Sequence, residues 1–227
     1  MSLYKYPTNR MERIKDGYLE TLKKVISLSG KKVLEVGCGN GARTIQIAEI
    51  CLEVSAIDPD IAALNQAKID RPRPNIHYAL GEADALNFAD ASFDLVFFTL
   101  SLHHVPVLKM DQAIQEAVRV CKKDGHIAFL EPAFEGSFFE AEIHFDACDG
   151  DERKEKAFAY AAMLSHSHLR EIAELPDETV FRFDSVDDFV TSMHPKNEDK
   201  AALTSFLQER NFILHAQRRL NIFQPQK

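Results

Sequence analysis

The stretch Val33-Leu34-Glu35-Val36-Gly37-Cys38-Gly39-Asn40-Gly41 decides the fold of this 227-residue chain. It predicts a strand that runs into three alternating glycines and then into a helix. Glycine is needed where the backbone turns with φ > 0 and where a ligand must approach the main chain without meeting a Cβ. The helix that follows presents unpaired N–H groups toward the same place. A glycine turn can also serve tight packing alone, so this loop predicts a ligand site only if other residues support it.

The sequence around this stretch alternates short apolar runs with amphipathic segments, from Lys31 to about Glu131. That alternation is typical of repeated βα units on a parallel sheet, and several apolar runs are continuous, as in strands covered on both faces. We therefore expect an α/β fold. The predicted strands are Lys32 to Val36, Glu53 to Ile57, Asn75 to Leu80, Phe93 to Phe98 and His126 to Leu130.

The regions on either side of this alternation have a different pattern. Apolar spacing predicts a leading helix over Met11 to Leu28. Residues 132–176 are expected to form a helical insertion that covers the acceptor site, and Phe212 to Phe223 predicts a last, antiparallel strand. The chain, residues 1–227, is accordingly expected to be a single domain that carries one insertion.

Composition argues against several classes of function. The net charge is −8, from 27 Lys and Arg against 35 Asp and Glu, and no basic cluster is present, so nucleic acid is disfavoured as a partner. No apolar run approaches the roughly 20 residues that span a bilayer, and the first residues do not resemble a secretory signal. We expect a cytoplasmic protein, a monomer or homodimer, without membrane contact. The four cysteines are widely spaced with no Cys-x-x-Cys, which predicts reduced thiols and no metal site.

Two acidic residues follow the next two predicted strands. Asp58 ends the second strand, where a carboxylate can accept both hydroxyls of a ribose. Asp84 follows the third strand and could accept from the exocyclic amine of adenine. Because the carboxyl ends of parallel strands meet at one edge of the sheet, the glycine loop and both acids together predict a nucleoside-type cofactor.

Glu35 distinguishes between two possible types of cofactor. The run Gly37-x-Gly39-x-x-Ala42 also satisfies the dinucleotide pattern G-x-G-x-x-G/A. A carboxylate two residues before the first glycine would lie beneath the pyrophosphate of a dinucleotide, where two anions repel each other. S-adenosylmethionine carries a sulfonium and an ammonium group and no phosphate. Glu35 therefore favours S-adenosylmethionine over a dinucleotide.

With these features the chain resembles the class I S-adenosylmethionine-dependent methyltransferases, especially the small-molecule branch that includes ubiquinone/menaquinone-biosynthesis-like enzymes. The resemblance covers about Met11 to Pro132. It implies a Rossmann-like fold with a seven-stranded, mostly parallel sheet and an antiparallel C-terminal strand. The matching segments are Val33 to Thr44, Ser55 to Asp60, Gly81 to Phe88, Ser92 to Val96, Leu102 to Val105 and Gly125 to Pro132.

The resemblance also implies how the cofactor is held. The glycine loop would bind the methionine part, Asp58 the ribose, and Asp84 with Ala85 the adenine, while Thr99 and Leu100 would line the methionine end. The whole set of expected cofactor-binding residues is Glu35, Gly37, Cys38, Gly39, Asn40, Gly41, Thr44, Asp58, Pro59, Asp84, Ala85, Thr99 and Leu100.

Methyl transfer is an in-line displacement that needs a base only if the acceptor must lose a proton. His103 and His104 follow the fourth predicted strand, at the edge where the methyl group would be presented. His104 is the predicted base, because the second position more often faces the cofactor pocket in the resembling enzymes. A purely structural role for the pair stays open. Tyr4 and Tyr6 are candidates for closing the pocket.

The predicted function is S-adenosylmethionine-dependent transfer of a methyl group to a small molecule of unknown identity. Two alternatives remain open. One is an NAD(P)-dependent oxidoreductase, which Glu35 and the absence of a Tyr-x-x-x-Lys pair after the fourth strand disfavour. The other is a non-catalytic cofactor-binding or regulatory module, since most of the candidate residues bind cofactor.

Overall fold

The computed structural model describes residues 11–197 and 199–226, so Tyr4 and Tyr6 lie outside the described residues. Within that part of the chain there are eight strands and eight α-helices. The strands are β1 Glu12–Asp16, β2 Lys32–Val36, β3 Glu53–Asp58, β4 Ile76–Leu80, β5 Phe93–Thr99, β6 Cys121–Pro132, β7 Leu169–Arg182 and β8 Ile213–Pro225. The helices are α1 Tyr18–Lys23, α2 Thr44–Ala48, α3 Ile61–Asp70, α4 Met110–Val120, α5 Ser137–Phe145, α6 Arg153–Ser165, α7 Val186–Met193 and α8 Lys200–Glu209.

The chain divides into two compact units, called here the larger and the smaller unit. The larger unit comprises Tyr18–Glu131, Glu155–Pro176 and Arg219–Lys227. The smaller unit comprises Met1–Gly17, Pro132–Lys154 and Asp177–Arg218. The insertion predicted at 132–176 is therefore shared between the two units, and its last part, from Leu169, is strand rather than helix.

The larger unit is built on parallel strands in the order β6-β5-β2-β3-β4. The order reverses at β2, because β3 and β4 continue on one side of it while β5 and β6 lie on the other. In open α/β sheets, ligands bind in the crevice outside the carboxyl ends of the strands at such a reversal. The loops that follow β2 and β5 are therefore the first places to look for a site.

Side chains of these strands alternate between two apolar layers, which explains their continuous apolar sequences. Val96 and Phe98 of β5 pack in the layer that contains residues of α4 and α6. Leu95 and Phe97 pack in the opposite layer, with residues of α1, α2 and α3. Because both faces of the central strands are buried, their register and the positions of their carboxyl ends are tightly fixed.

The smaller unit has its own apolar cluster, formed by residues of α5, α7 and α8 and of the strand ends that belong to it. Strand β1 pairs antiparallel with the end of β7, with Glu12 beside Arg182 and Asp16 beside Thr179. Ser185 begins α7 by accepting a hydrogen bond from the Asp188 amide at 3.1 Å, a normal N-cap contact.

The predicted fold class is confirmed: the protein has a Rossmann-like, mostly parallel sheet with antiparallel C-terminal strands. The described residues form eight strands rather than the expected seven. The additional strand is β1, which lies within the predicted leading helix of Met11 to Leu28, so that helix is reduced to α1. Pairing with residues 179–182, far along the chain, outweighs the local helical spacing. In the described part of the chain, no helix is long and apolar enough to cross a membrane.

Candidate cofactor and methyl-transfer site

The candidate site lies at the carboxyl ends of the parallel strands in the larger unit. Hydrogen bonds connect the loops that follow β2, β3 and β4 at this edge. The Gly37 and Cys38 amides donate to the Ile57 carbonyl at the end of β3, at 2.9 and 3.0 Å. The Gly81 amide, just after β4, donates to the Asp58 carbonyl at 3.2 Å. The predicted segments therefore meet at one edge of the sheet.

The three glycines of the loop all have positive φ, at 76°, 52° and 77° for Gly37, Gly39 and Gly41. They are required for different reasons. A Cβ on Gly37 would lie 2.2 Å from the Cβ of Ser101, and one on Gly41 would lie 2.5 Å from the hydroxyl of Tyr78. A Cβ on Gly39 would meet nothing within 4 Å. Packing thus explains the first and third glycines, whereas Gly39 faces open space.

Asp58 holds this loop in place. Its Oδ2 accepts a hydrogen bond from the Gly39 amide at 2.7 Å, and its Oδ1 accepts one from the Asp60 amide at 2.8 Å. The side chain is mostly buried, whereas the next residue, Pro59, is exposed. A carboxylate oxygen can accept more than one hydrogen bond, so Asp58 can fix the loop and still accept from a ligand hydroxyl.

Glu35 is completely buried at the end of β2. Its Oε1 accepts a hydrogen bond from the Thr99 hydroxyl at 2.9 Å, whereas Oε2 has no hydrogen-bond partner among the described residues. The hydroxyl of Thr44, at the start of α2, is also buried. Burial raises the pKa of Glu35, and the neighbouring Thr44 and Thr99 hydroxyls oppose that shift only in part. A buried carboxylate with an unsatisfied oxygen is the usual sign of a missing ligand or water.

Asp84 lies in the tight turn after β4 and forms an ion pair with Lys109, with 2.8 Å between Oδ2 and Nζ. The hydrogen bond from Lys109 lowers the pKa of Asp84, so the carboxylate stays ionised over the physiological range. Ala85 is exposed beside it, and its amide donates to the Glu82 carbonyl at 3.2 Å. Lys109 was missed at the sequence level because it lies beyond the fourth strand, with nothing local to connect it to Asp84.

The segment after β5 contacts the glycine loop directly. The Ser101 hydroxyl donates to the Val36 carbonyl at 2.6 Å, and Thr99, as noted, donates to Glu35. Between them Leu100 adopts a left-handed conformation, with φ of 61°. Non-glycine residues rarely adopt this conformation, and strained residues of this kind cluster at functional sites.

The two histidines predicted near the methyl group have different environments. His104 is exposed, whereas the side chain of His103 is 3% exposed and its Nδ1 pairs with Oε2 of Glu131, itself 5% exposed. The other Glu131 oxygen accepts a hydrogen bond from the Leu102 amide at 2.9 Å. Glu131 is the penultimate residue of β6, the strand beside β5, so both histidines lie at the carboxyl edge, as expected.

The remaining residues of the loop have smaller roles in its geometry. Burial raises the pKa of the Cys38 thiol, which keeps it protonated and unreactive. Asn40 is exposed; its side-chain oxygen accepts from the Ala42 amide at 3.2 Å, and its carbonyl accepts from Arg71 at 2.9 Å. Both contacts shape the turn that leads into α2.

Comparison with solved structures identifies the class of fold. A methyltransferase structure described as putative, from Bacillus halodurans, superposes with a TM-score of 0.64 at 20% identity and covers 90% of this chain and 97% of its own. The N-methyltransferase NodS from Bradyrhizobium japonicum, in complex with S-adenosyl-L-homocysteine, superposes with a TM-score of 0.55 at 17% identity, covering 92% and 86%. At such low identities the likeness concerns the fold alone, which is that of the class I methyltransferases.

Sequence comparison then identifies the central domain. Residues 34–129 match the family model of a methyltransferase domain. The demethylmenaquinone methyltransferase of Renibacterium salmoninarum is 36% identical over 105 residues, which is 46% of this chain and 43% of the relative. An uncharacterized methyltransferase of Synechocystis sp. is 33% identical over 102 residues, 45% of this chain and 47% of the relative. The chain therefore spans about half the length of the curated relatives it matches.

Proposed function

We propose that this chain binds S-adenosylmethionine at the carboxyl edge of the larger unit's sheet and transfers a methyl group to a small-molecule acceptor. One observation carries the proposal. At the end of β2, a glycine that faces open space follows a buried carboxylate whose second oxygen has no partner in the described chain. The open backbone offers room for a ligand, and the carboxylate requires that the ligand bring a donor or a positive charge.

The charges at this edge favour a cationic cofactor over a dinucleotide. Glu35 and Asp58 are both buried beside the glycine loop, and the Arg71 side chain donates to the Asn40 carbonyl of that loop. A pyrophosphate would be repelled by both carboxylates, whereas an ammonium or sulfonium group would be attracted. This supports S-adenosylmethionine over NAD(P).

Within this proposal each part of the cofactor has its own residues. Asp58 and Pro59 contact the ribose, and Asp84 and Ala85 contact the adenine, with Lys109 sharing the Asp84 carboxylate. The methionine part is bound by residues of the loop, the first helix after it and the end of β5, namely Glu35, Gly37, Cys38, Gly39, Asn40, Gly41, Thr44, Thr99 and Leu100.

When bound, S-adenosylmethionine supplies an electrophilic methyl group on a sulfonium. The chain itself holds the reacting groups in line, which accounts for most of the rate enhancement in such displacements. His104 is exposed at the same edge, and we propose that it accepts a proton from the acceptor where one must be lost.

The wider setting is part of the same proposal. It includes the single-domain organisation of residues 1–227, a cover formed by residues 132–176, a cytoplasmic location, a monomeric or homodimeric state and the absence of a nucleic-acid partner. The strongly acidic composition supports the last of these.

Calorimetric titration with S-adenosylmethionine, S-adenosylhomocysteine and NAD⁺ tests the cofactor. We expect binding of the first two and none of NAD⁺. Incubation with S-adenosylmethionine and a metabolite extract, with S-adenosylhomocysteine formation as the readout, then separates an enzyme from a binding module. Binding of NAD⁺ alone would show that the cofactor assignment is wrong, and binding without turnover would favour the non-catalytic module.

A further inference from the structure

The pair of His103 and Glu131 is a buried polar cluster that cofactor binding does not explain. Both side chains are at least 95% buried, and they meet across the carboxyl ends of β5 and β6. Their neighbours along the strands are apolar, for example Phe129 and Leu130. Replacing a buried ion pair by apolar residues of similar size is often neutral or stabilising, so such a pair is weak evidence for a role in stability. A functional role is the better explanation.

Glu131 forms hydrogen bonds with two successive residues of the short 3₁₀ turn Leu102–His104. One oxygen accepts from the Leu102 amide and the other pairs with His103. The ring of His103 in turn lies against that of His104, with 4.1 Å between ring centroids and 43° between their planes. The exposed imidazole of His104 therefore packs against the buried imidazole of His103, which in turn pairs with the buried carboxylate of Glu131.

The same turn is fixed to the glycine loop. Thr99 and Ser101, just before it, donate to Glu35 and to the Val36 carbonyl, at 2.9 and 2.6 Å. The backbone hydrogen bond from the Leu100 amide to the Leu130 carbonyl, at 2.8 Å, joins the turn to β6 just before Glu131. One short segment thus connects the candidate cofactor loop with the histidine pair, so a shift of Glu131 would move His104 relative to that loop.

We propose that Glu131 and His103 are positioning residues for His104 and that the methyl acceptor is a phenolic or enolic hydroxyl, which must lose its proton. This inference rests on the proposed function. In the step, the acceptor's O–H bond breaks and its proton passes to an imidazole nitrogen of His104. The electron pair left on oxygen forms the new O–CH₃ bond, and the carbon–sulfur bond breaks with its pair going to sulfur. His104 afterwards releases the proton to water.

The acceptor class follows from the arrangement. A thioether has no proton to lose, and the neutral fraction of an amine is already a good nucleophile, so both depend on an oriented base less than a hydroxyl does. A neutral hydroxyl is a weak nucleophile until its proton is taken. The carboxylate of Glu131, paired with His103, stabilises the positive charge that the histidine pair acquires.

The test compares Glu131→Gln with Glu116→Gln in the full chain. Glu116 is a matched control because it also accepts a backbone amide, that of Leu86 at 2.9 Å, and pairs with the cationic side chain of Arg119. The probes at slightly alkaline pH are 1-naphthol, which is largely neutral, 4-nitrophenol, which is largely ionised already, and benzylamine. Calorimetry with S-adenosylmethionine and thermal denaturation accompany each variant.

We expect Glu131→Gln to lower kcat for 1-naphthol by about 100-fold, the usual contribution of a general base, with KM for S-adenosylmethionine unchanged. For 4-nitrophenol the loss should be less than about fivefold, because its proton has already left. Glu131→Asp should recover part of kcat, and Glu116→Gln should match the parent chain. His104→Gln, at an exposed position, should show the same selectivity and serves as the second variant if Glu131→Gln does not fold.

Equal losses of kcat with 1-naphthol and 4-nitrophenol would show that Glu131 has a structural role and would overturn the inference. A Glu131→Gln variant with the same kcat as Glu116→Gln would also overturn it. Turnover of benzylamine without 1-naphthol, or no turnover of any probe by a chain that binds S-adenosylmethionine, would overturn the acceptor class. Failure to bind S-adenosylmethionine would instead remove the proposed function, and calorimetry distinguishes that result from the others.

Discussion

Two carboxylates, one in each unit, show how a candidate binding site differs from a structural ion cluster. Glu178 of the smaller unit accepts hydrogen bonds from Lys15, His215 and Gln217 at 2.8 to 2.9 Å. Burial raises the pKa of Glu178, but these donors outweigh it and hold the pKa at about 2. In Glu35 of the larger unit, Oε1 accepts from the Thr99 hydroxyl, Oε2 has no hydrogen-bond partner among the described residues, and burial raises the pKa. The structural carboxylate is saturated with partners, whereas the carboxylate beside the glycine loop is not.

The buried Arg218 of the smaller unit is paired with two carboxylates, although its Nη1 has no hydrogen-bond partner among the described residues. Arg218 donates to Asp177 through Nε at 2.6 Å and to Asp16 through Nη2 at 2.6 Å. These charges neutralise one another within the unit, so they need no ligand as a counter-charge. In the larger unit, by contrast, Oε2 of Glu35 has no partner among the described residues, and the proposed cofactor would supply a counter-charge.

The largest expected effect is a loss of stability on substitution of Gly37, the glycine that close packing requires. Gly37→Ala should lower the free energy of unfolding by about 3 kcal/mol, because the new Cβ collides with Ser101 and the residue also has a positive φ. Urea denaturation measures the change. Gly30→Ala is the control, since Gly30 has a φ of 72° and open space around it, and should cost about 1 kcal/mol. Equal losses in the two variants would contradict the packing explanation.

The next effect distinguishes a ligand-binding carboxylate from a structural one. Glu35→Gln should weaken S-adenosylmethionine binding by about 30-fold, close to 2 kcal/mol, because the charge that attracts the ammonium group is lost. The unliganded chain should not lose stability. Since the pKa of Glu35 is raised in the folded state, its ionisation opposes folding as pH rises, and the variant lacks this opposition. Calorimetry and urea denaturation at pH 8 measure the affinity and the stability. A large loss of stability with unchanged affinity would show that Glu35 is a structural carboxylate and not a ligand-binding one.

The matching change in the smaller unit should have the opposite pattern. Glu178→Gln should destabilise the chain by about 1–2 kcal/mol at neutral pH and leave cofactor affinity unchanged. The folded-state pKa of Glu178, about 2, lies below its ordinary value of 4.5, so its contribution is complete above about pH 4.5 and is lost as pH falls toward 2. Unfolding free energies measured from pH 7 to pH 2.5 should therefore converge for the variant and the parent chain. Parallel curves would contradict this account.

The smallest effect concerns the partner of Asp84. Lys109 is largely exposed, and ion pairs of exposed side chains contribute little. Lys109→Gln should leave the free energy of unfolding unchanged and tighten S-adenosylmethionine binding by about twofold. The reason is that the Asp84 carboxylate would no longer be paired with the Lys109 ammonium group and could accept more strongly from the cofactor. Weaker binding would indicate that Lys109 itself contacts the cofactor.

Sequence reasoning was most successful where the determinants are local. The glycine loop, Asp58 and Asp84 follow their strands directly, so alternating apolar runs and turn residues were enough to predict one sheet edge that collects them. The pairing of His103 with Glu131 joins residues 28 apart on neighbouring strands, and no local pattern indicates it. Strand β1 escaped prediction for the same reason, since its partner residues 179–182 lie at the other end of the chain.

Insertions were predicted less well than the sheet because helix and strand periods compete in short apolar runs. Residues 137–145 form a helix, α5, within the helical insertion predicted at 132–176. The helical insertion predicted at 132–176 extends too far, because α6 ends at Ser165 and β7 begins at Leu169. Pairing between strands, which a single sequence does not reveal, sets that boundary.

The most direct test of the cofactor site is calorimetric titration of S-adenosylmethionine into Gly39→Ala and Gly30→Ala. Both glycines have positive φ, at 52° and 72°, and neither Cβ would meet an atom of the chain within 4 Å, so the two variants carry the same kind of backbone strain. If the backbone of Gly39 is where the cofactor approaches, Gly39→Ala should weaken binding by about 100-fold or more, while Gly30→Ala binds as the parent chain does. Equal affinities in the two variants would contradict the placement of S-adenosylmethionine on this loop.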